Sequence, residues 1–326
     1  MYRIETEDFG LSSKTYRLKN ARGMQVVLTD FGARIVQILL PVEEDGSLRN
    51  ICLTRHSAED YQTTPYIGAT VAPVAGRLFS HQVAIDGKVL NLAENGPGFS
   101  LHSGPQSASM QIWACDIFPE NNQLVFRLTL EDGYNGFPGP IHLTATYTLT
   151  EDNCLEVRYK GVSPKKTLFN PTNHVFFNLT GHFFESIKDH QFQISASRVV
   201  VYDENGKGVG IRQVADSPYD FNRTKRIGQA LQEKDEQLAL LGGFDNCWIL
   251  DHPHQAASIT SPDGKIGLSV ATNQDGLIIY TYNHNNPALA IKQGVFSLEC
   301  LASIEQSHII EAQEEVESWT KYTFDY

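Results

Sequence analysis

The chain has 326 residues, and its 38 acidic against 26 basic side chains give a formal net charge of −12. With no dense Lys/Arg cluster to offset that balance, the composition argues against a phosphate-backbone partner, and no nucleic acid is expected. At 41% hydrophobic residues it can bury a substantial core, yet no run approaches the roughly 18–20 apolar residues of a membrane span.

The N-terminal MYRIETEDFG lacks the basic and apolar regions of a signal peptide. Five cysteines, at 52, 115, 154, 247 and 300, are odd in number and widely scattered, with no CxxC pair. That usage predicts a reduced, cytoplasmic protein with no disulfide framework and no structural zinc.

Strand signals dominate in chain order. Candidates are 25–30, 35–40, 123–130, 141–149, 155–160 and 191–195, then 246–251, 266–272, 277–282, 288–292, 295–301 and 320–326. In 141–149, Ile141, Leu143, Ala145, Tyr147 and Leu149 share one face, and His142, Thr144, Thr146 and Thr148 the other. Asp-Gly pairs at 45–46, 86–87, 132–133, 263–264 and 275–276 predict tight turns. The best helix candidate, QALQEKDEQLALL at 229–241, is short. There are no repeats and no low-complexity linker. The reading is a large antiparallel β-sandwich, all-β, in one domain over 1–326.

The segment NPTNHVFFNL, 170–179, has the apolar content of a buried strand but carries Asn173, His174 and Asn178. On a strand, His174, Phe176 and Asn178 face one way, and Asn173, Val175, Phe177 and Leu179 the other. Either the polar residues are hydrogen-bonded within the core, or they point into a polar site. In VFSLECLAS, 295–303, Glu299 sits in an apolar strand, where an unpaired carboxylate is costly. It has a partner or a task, or it lies on a solvated face.

His102 in a Gly-rich loop, Arg77 after Ala-Gly and Asp245 before an aromatic strand each have a bland reading as loop or surface residues. His102, His174, Asp245 and Glu299 lack metal-ligand spacing, and GKGVG at 206–210 is not a dinucleotide fingerprint. No metal and no cofactor are expected.

Taken together, these segments resemble the aldose 1-epimerase (galactose mutarotase) family. EDGYNGFPGPIHLTATYTL (131–149) resembles its D-G-x-x-G-F-P-G turn and following strand. NPTNHVFFNLTG (170–181) resembles its T-N-H-x-x-F-N-L-x-G segment. LTDFGARIVQILLP, LHSG, GGFDNCWIL and FSLEC are similar to further family segments in the same order.

The resemblance implies a galactose mutarotase-like supersandwich with a monosaccharide in an open cleft. It implies Glu299 as general base on the anomeric hydroxyl and His174 as general acid on the ring oxygen. His102, Arg77 and Asp245 are implied as substrate-binding residues. With a sugar in the cleft, the polar residues of 170–179, Asn173 among them, are expected to line it and bind substrate, and Phe244 and Trp248 are nearby aromatic candidates for a sugar platform. Pro73, Gly76, Ile278 and the Cys300-Leu301 pair depart from the family's usual residues, which bears on the choice of sugar. The expected assembly is a monomer or homodimer. A glycoside hydrolase using Asp245 and Glu299, or a non-catalytic sugar-binding protein, are the alternatives.

Overall fold

The computed structural model describes residues 2–79, 82–284, 289, 291–306 and 308–326. Three antiparallel sheets carry the architecture. A five-stranded meander uses Glu5–Gly10, Ser13–Lys19, Gln25–Thr29, Arg34–Leu40 and Arg49–Asn50. A nine-stranded sheet runs in space from Ala114–Phe118 through Gln123–Leu130, Ile141–Leu149 and Cys154–Val162 to Val316–Asp325. It continues through Gly267–Thr272, Ala257–Thr260 and Gln191–Ile194 to Lys225–Arg226.

A six-stranded sheet has the order Phe176–Phe177, Phe296–Leu301, Gly276–Tyr280, Asp245–Leu250, Ala196–Tyr202 and Gly208–Gln213. One continuous apolar cluster joins all three sheets: Val26 and Ile35 from the first, Phe126 and Tyr147 from the second, Phe177 and Leu298 from the third. The all-β sandwich expected from the period-two patterning is the fold observed.

Local chemistry explains most of the elements. Ile141, Leu143, Ala145, Tyr147 and Leu149 are buried on one face of their strand, as the alternation requires. Asp86 and Gly87 both take positive φ, 50° and 74°, and close the hairpin between Gln82–Ile85 and Lys88–Asn91.

Three expectations are corrected. The 229–241 helix is two short helices, Ile227–Leu231 and Glu236–Leu241. The break occurs because the Asp235 carboxylate accepts from the amides of Gln237 and Leu238 and starts a new helix. Asp275-Gly276 is not a hairpin turn: the strand before it belongs to the nine-stranded sheet and the strand after it to the six-stranded one. The Asp275 carboxylate instead accepts from Ser303 N and Oγ. Of the expected strand 288–292, residues 288 and 290 lie outside the described residues, and 289, 291 and 292 are not in a strand.

Candidate active site

The six-stranded sheet turns one face to the core and the other to a cleft. On Phe296–Leu301, Phe296, Leu298 and Cys300 join the main core, while Glu299 and Leu301 line the cleft. On Gly276–Tyr280, Leu277 and Ile279 face the core, and Ile278 and Tyr280 the cleft. On Asp245–Leu250, Trp248 and Leu250 face the core, and Asp245 and Cys247 the cleft. The pairing sets Cys247, Ile278 and Glu299 in one row across the floor, and Asp245, Tyr280 and Ser297 in the next. The cleft encloses about 580 Å³.

His174 enters from beside the floor. Its backbone is fixed on both sides, donating to Ala69 O at 2.9 Å and accepting from Gly68 N at 2.9 Å. Its Nε2 lies 3.4 Å from Glu299 Oε1, and Ser297 Oγ donates to the same oxygen at 2.8 Å. Glu299 is only 3% exposed and His174 6%.

Burial disfavours the charged form of each. It pushes the Glu299 carboxyl up to about 7, against the bond from Ser297 and the field of Arg77. It pulls the His174 imidazole down to about 4. His174 Nδ1 is itself buried without a hydrogen bond, a further reason for the neutral ring.

His102 packs edge-on against His174, with ring centroids 5.2 Å apart. It sits at φ 50°, with its backbone N–H donating to Gly76 O. Gly76 N in turn donates to His102 Nδ1 at 3.2 Å, so the ring proton of neutral His102 is on Nε2. Burial, then His174 and Arg77, hold this imidazole well below its usual range. Arg77 Nη2 is 3.5 Å from Asp245 Oδ2, and burial raises the Asp245 carboxyl to about 6 despite that pairing.

Five of the six residues singled out in the sequence, Glu299, His174, His102, Arg77 and Asp245, therefore line one cleft. Asn173 does not. Its Nδ2 donates to Gly68 O and Tyr147 Oη, and its Oδ1 accepts from Val175 N, all within the core. Asn178 is likewise structural, with Nδ2 donating to His182 O and Gly294 O. So the strand alternation placed His174 and Phe176 correctly, but the two amides satisfy backbone.

Phe244 and Trp248 are also not sugar platforms. They are fully buried and pack with Tyr219 and Phe221 on the far side of the sheet. The aromatic residues that line the cleft are instead Tyr66, Phe79, Phe176, Tyr202, Tyr280 and Tyr282. Tyr66 packs on His102 at 4.5 Å and on His174 at 6.1 Å. Tyr280 was legible as the residue two along from Ile278 on the same strand face. Tyr66 lies in a loop with no periodic signal. Among the described residues, no three His, Cys, Asp or Glu side chains are grouped as a metal site.

The arrangement supplies a buried carboxylate and an imidazole in contact, with a neutral N–H donor and an Arg–Asp pair beside them. Comparison with known proteins identifies the family. The aldose 1-epimerase family model matches residues 14–323. Aldose 1-epimerase of Escherichia coli K12 is 32% identical over 288 residues, covering 86% of this chain and 82% of that protein. Human galactose mutarotase is 29% identical, covering 83% of this chain and 78% of that one. The solved structure of galactose 1-epimerase from Lactobacillus acidophilus superimposes with a TM-score of 0.90 at 28% identity, covering 100% of this chain and 99% of that one. The chain belongs to the aldose 1-epimerase family and is an isomerase of that class.

Proposed function

We propose that the substrate is a free aldohexose such as galactose or glucose, with Glu299 as general base and His174 as general acid in anomer exchange. The observation that carries this assignment is the 3.4 Å contact between His174 Nε2 and Glu299 Oε1. The anomeric hydroxyl and the ring oxygen are bonded to one carbon, so the groups that serve them must be close neighbours.

The pair works with a single proton. With Glu299 ionised and His174 protonated, Glu299 takes the proton from O1 while the C1–O5 electron pair moves onto O5. O5 takes the proton of His174. The open aldehyde then faces a protonated Glu299 and a neutral His174. Rotation about C1–C2 presents the other carbonyl face, and the reverse transfers close the ring. Burial favours neutral forms of both groups, which lowers the cost of reaching the open-chain state.

His102 Nε2–H is suited to donate to the ring oxygen as charge builds on it. Arg77 and Asp245 hold hydroxyls of the sugar. A hydrolase would need two carboxylates flanking the bond, whereas the titratable partner touching Glu299 is an imidazole. No helix among the described residues is long and apolar enough to cross a membrane, and all five cysteines are unpaired; both support the cytoplasm as the compartment.

Polarimetry on freshly dissolved α-D-galactose and α-D-glucose tests the assignment. The protein accelerates the approach to equilibrium rotation, and Glu299→Gln and His174→Asn each lose at least about 10²-fold. Near-native turnover in either variant would remove that residue from its role.

A further inference from the structure

The floor of the cleft is polar on one side of Glu299 and apolar on the other. Across the sheet the order is Phe176, then the Glu299 strand, then the Ile278 strand, then the Cys247 strand. His174, two residues before Phe176, therefore approaches Glu299 from one side, and Ile278 is its cross-strand neighbour on the other. Beyond Ile278 in the same row comes Cys247, whose thiol is buried and weakly bonded to Trp248 O at 3.7 Å.

Ile278 packs into two apolar clusters at once, with Leu301 and Tyr66 on one side and Cys247 and Tyr202 on the other. A continuous apolar strip, Leu301–Ile278–Cys247–Tyr202, thus begins directly beside the catalytic carboxylate. The cleft's charged hydroxyl-binding pair, Arg77 and Asp245, lies off this row.

An aldopyranose with O5 at His174 and O1 at Glu299 has one ring atom next to C1 on the side away from O5, and that atom is C2. We infer that the Ile278–Cys247 strip receives the C2 edge of the sugar, and that the enzyme acts on aldoses lacking the 2-hydroxyl as well as on their 2-hydroxy parents. This rests on the assignment of O1 to Glu299 and O5 to His174. The physical reason is that a 2-hydroxyl laid on this strip exchanges water for side chains that offer it no good hydrogen bond. Its removal costs the complex nothing, whereas a site built to bond that hydroxyl would reject the deoxy analogue strongly.

The test is kcat/KM by polarimetry for D-glucose, D-galactose and their 2-deoxy counterparts, each divided by the spontaneous rate of the same sugar under the same conditions. The expected result is a normalised value for each 2-deoxy sugar equal to or above that of its parent. Ile278→Gln, which offers an amide to the C2 edge, shifts the ratio about fivefold to tenfold toward the parent. Cys247→Ser is a second variant that adds a hydroxyl to the same strip and shifts the ratio in the same direction.

A tenfold or greater preference of the native enzyme for the parent sugars overturns the inference. So does an unchanged ratio in both variants when circular dichroism shows them folded. Acceleration of neither the parents nor the deoxy sugars would overturn the assignment of function as well. Acceleration of the parents, lost in Glu299→Gln, with strong rejection of the deoxy sugars would overturn this inference alone.

Discussion

Replacing Glu299 by glutamine should make the protein more stable at alkaline pH while destroying its activity. Burial raises the Glu299 carboxyl from 4.5 to about 7. In the unfolded chain it ionises at its ordinary value, so folding must hold a proton on it or bury its charge. The folded pKa lies above the unfolded one. The native protein therefore loses stability as pH climbs from 4.5 to about 7, and the loss is complete above that. At about 1.4 kcal/mol per pH unit the full penalty is about 3 kcal/mol by pH 8, and about 1 kcal/mol or less at pH 5.

Glutamine has no charge to bury, and its carbonyl oxygen can still accept from Ser297 Oγ, which now bonds Glu299 at 2.8 Å. Urea unfolding of both proteins at pH 5 and pH 8 isolates the effect, because other titrating groups are common to the two. The stabilisation of the variant should grow by about 2 kcal/mol between those pH values. An equal difference at both pH values would show that Glu299 ionises normally, and the account of the pair as sharing one proton would fail.

Two further outcomes follow from the same geometry. The value of kcat/KM should be greatest between about 4 and about 7. Below that window both groups of the pair carry protons and no base remains; above it neither does and the ring oxygen has no acid. A profile flat down to pH 3 would contradict the assignment. Asn173→Ala should lower the thermal midpoint, because it strands the Val175 N–H in the core and removes one bond each from Gly68 O and Tyr147 Oη, which keep Ile35 N and Ala33 O as partners, a loss of roughly 1–3 kcal/mol. The KM for sugar should not move. A large rise in KM at unchanged melting temperature would return Asn173 to the cleft.

The sequence was informative wherever period and burial coincide. The FSLECL strand shows why: alternation alone puts Glu299 opposite Phe296, Leu298 and Cys300, and those three enter the core. The same rule separates His174 from Val175. It fails for Asn178, which lies just beyond the two-residue strand Phe176–Phe177. There the chain leaves the sheet, and the amide's acceptors are carbonyls of His182 and Gly294, the latter over a hundred positions away. Asn173 fails for a different reason. Its face is the more apolar one, but a site role is assigned to it along with the other polar residues of 170–179 rather than from that face. Tyr66 escaped altogether, since a loop residue's direction depends on what pins the loop.

What pins that loop is a buried cation. Arg34 is fully buried and has no ion-pair partner among the described residues. Its guanidinium donates to Phe31 O, Pro65 O, Ile67 O and Ser109 O and lies over the Tyr61 ring at 4.1 Å. Carbonyls are weak compensation for a desolvated charge, and burial accordingly lowers this guanidinium to about 10. The return is geometric. Pro65 and Ile67 flank Tyr66, so the clamp holds from behind the ring that packs on both histidines. The next residues, Gly68 and Ala69, bond the backbone of His174 on either side. One guanidinium thus anchors the segment that orients His174 and walls the cleft. Burying Arg34 and Glu299 costs stability alike, and in both cases the gain is an imidazole and a carboxyl held in contact in the cleft, the contact on which the proposed anomer exchange rests.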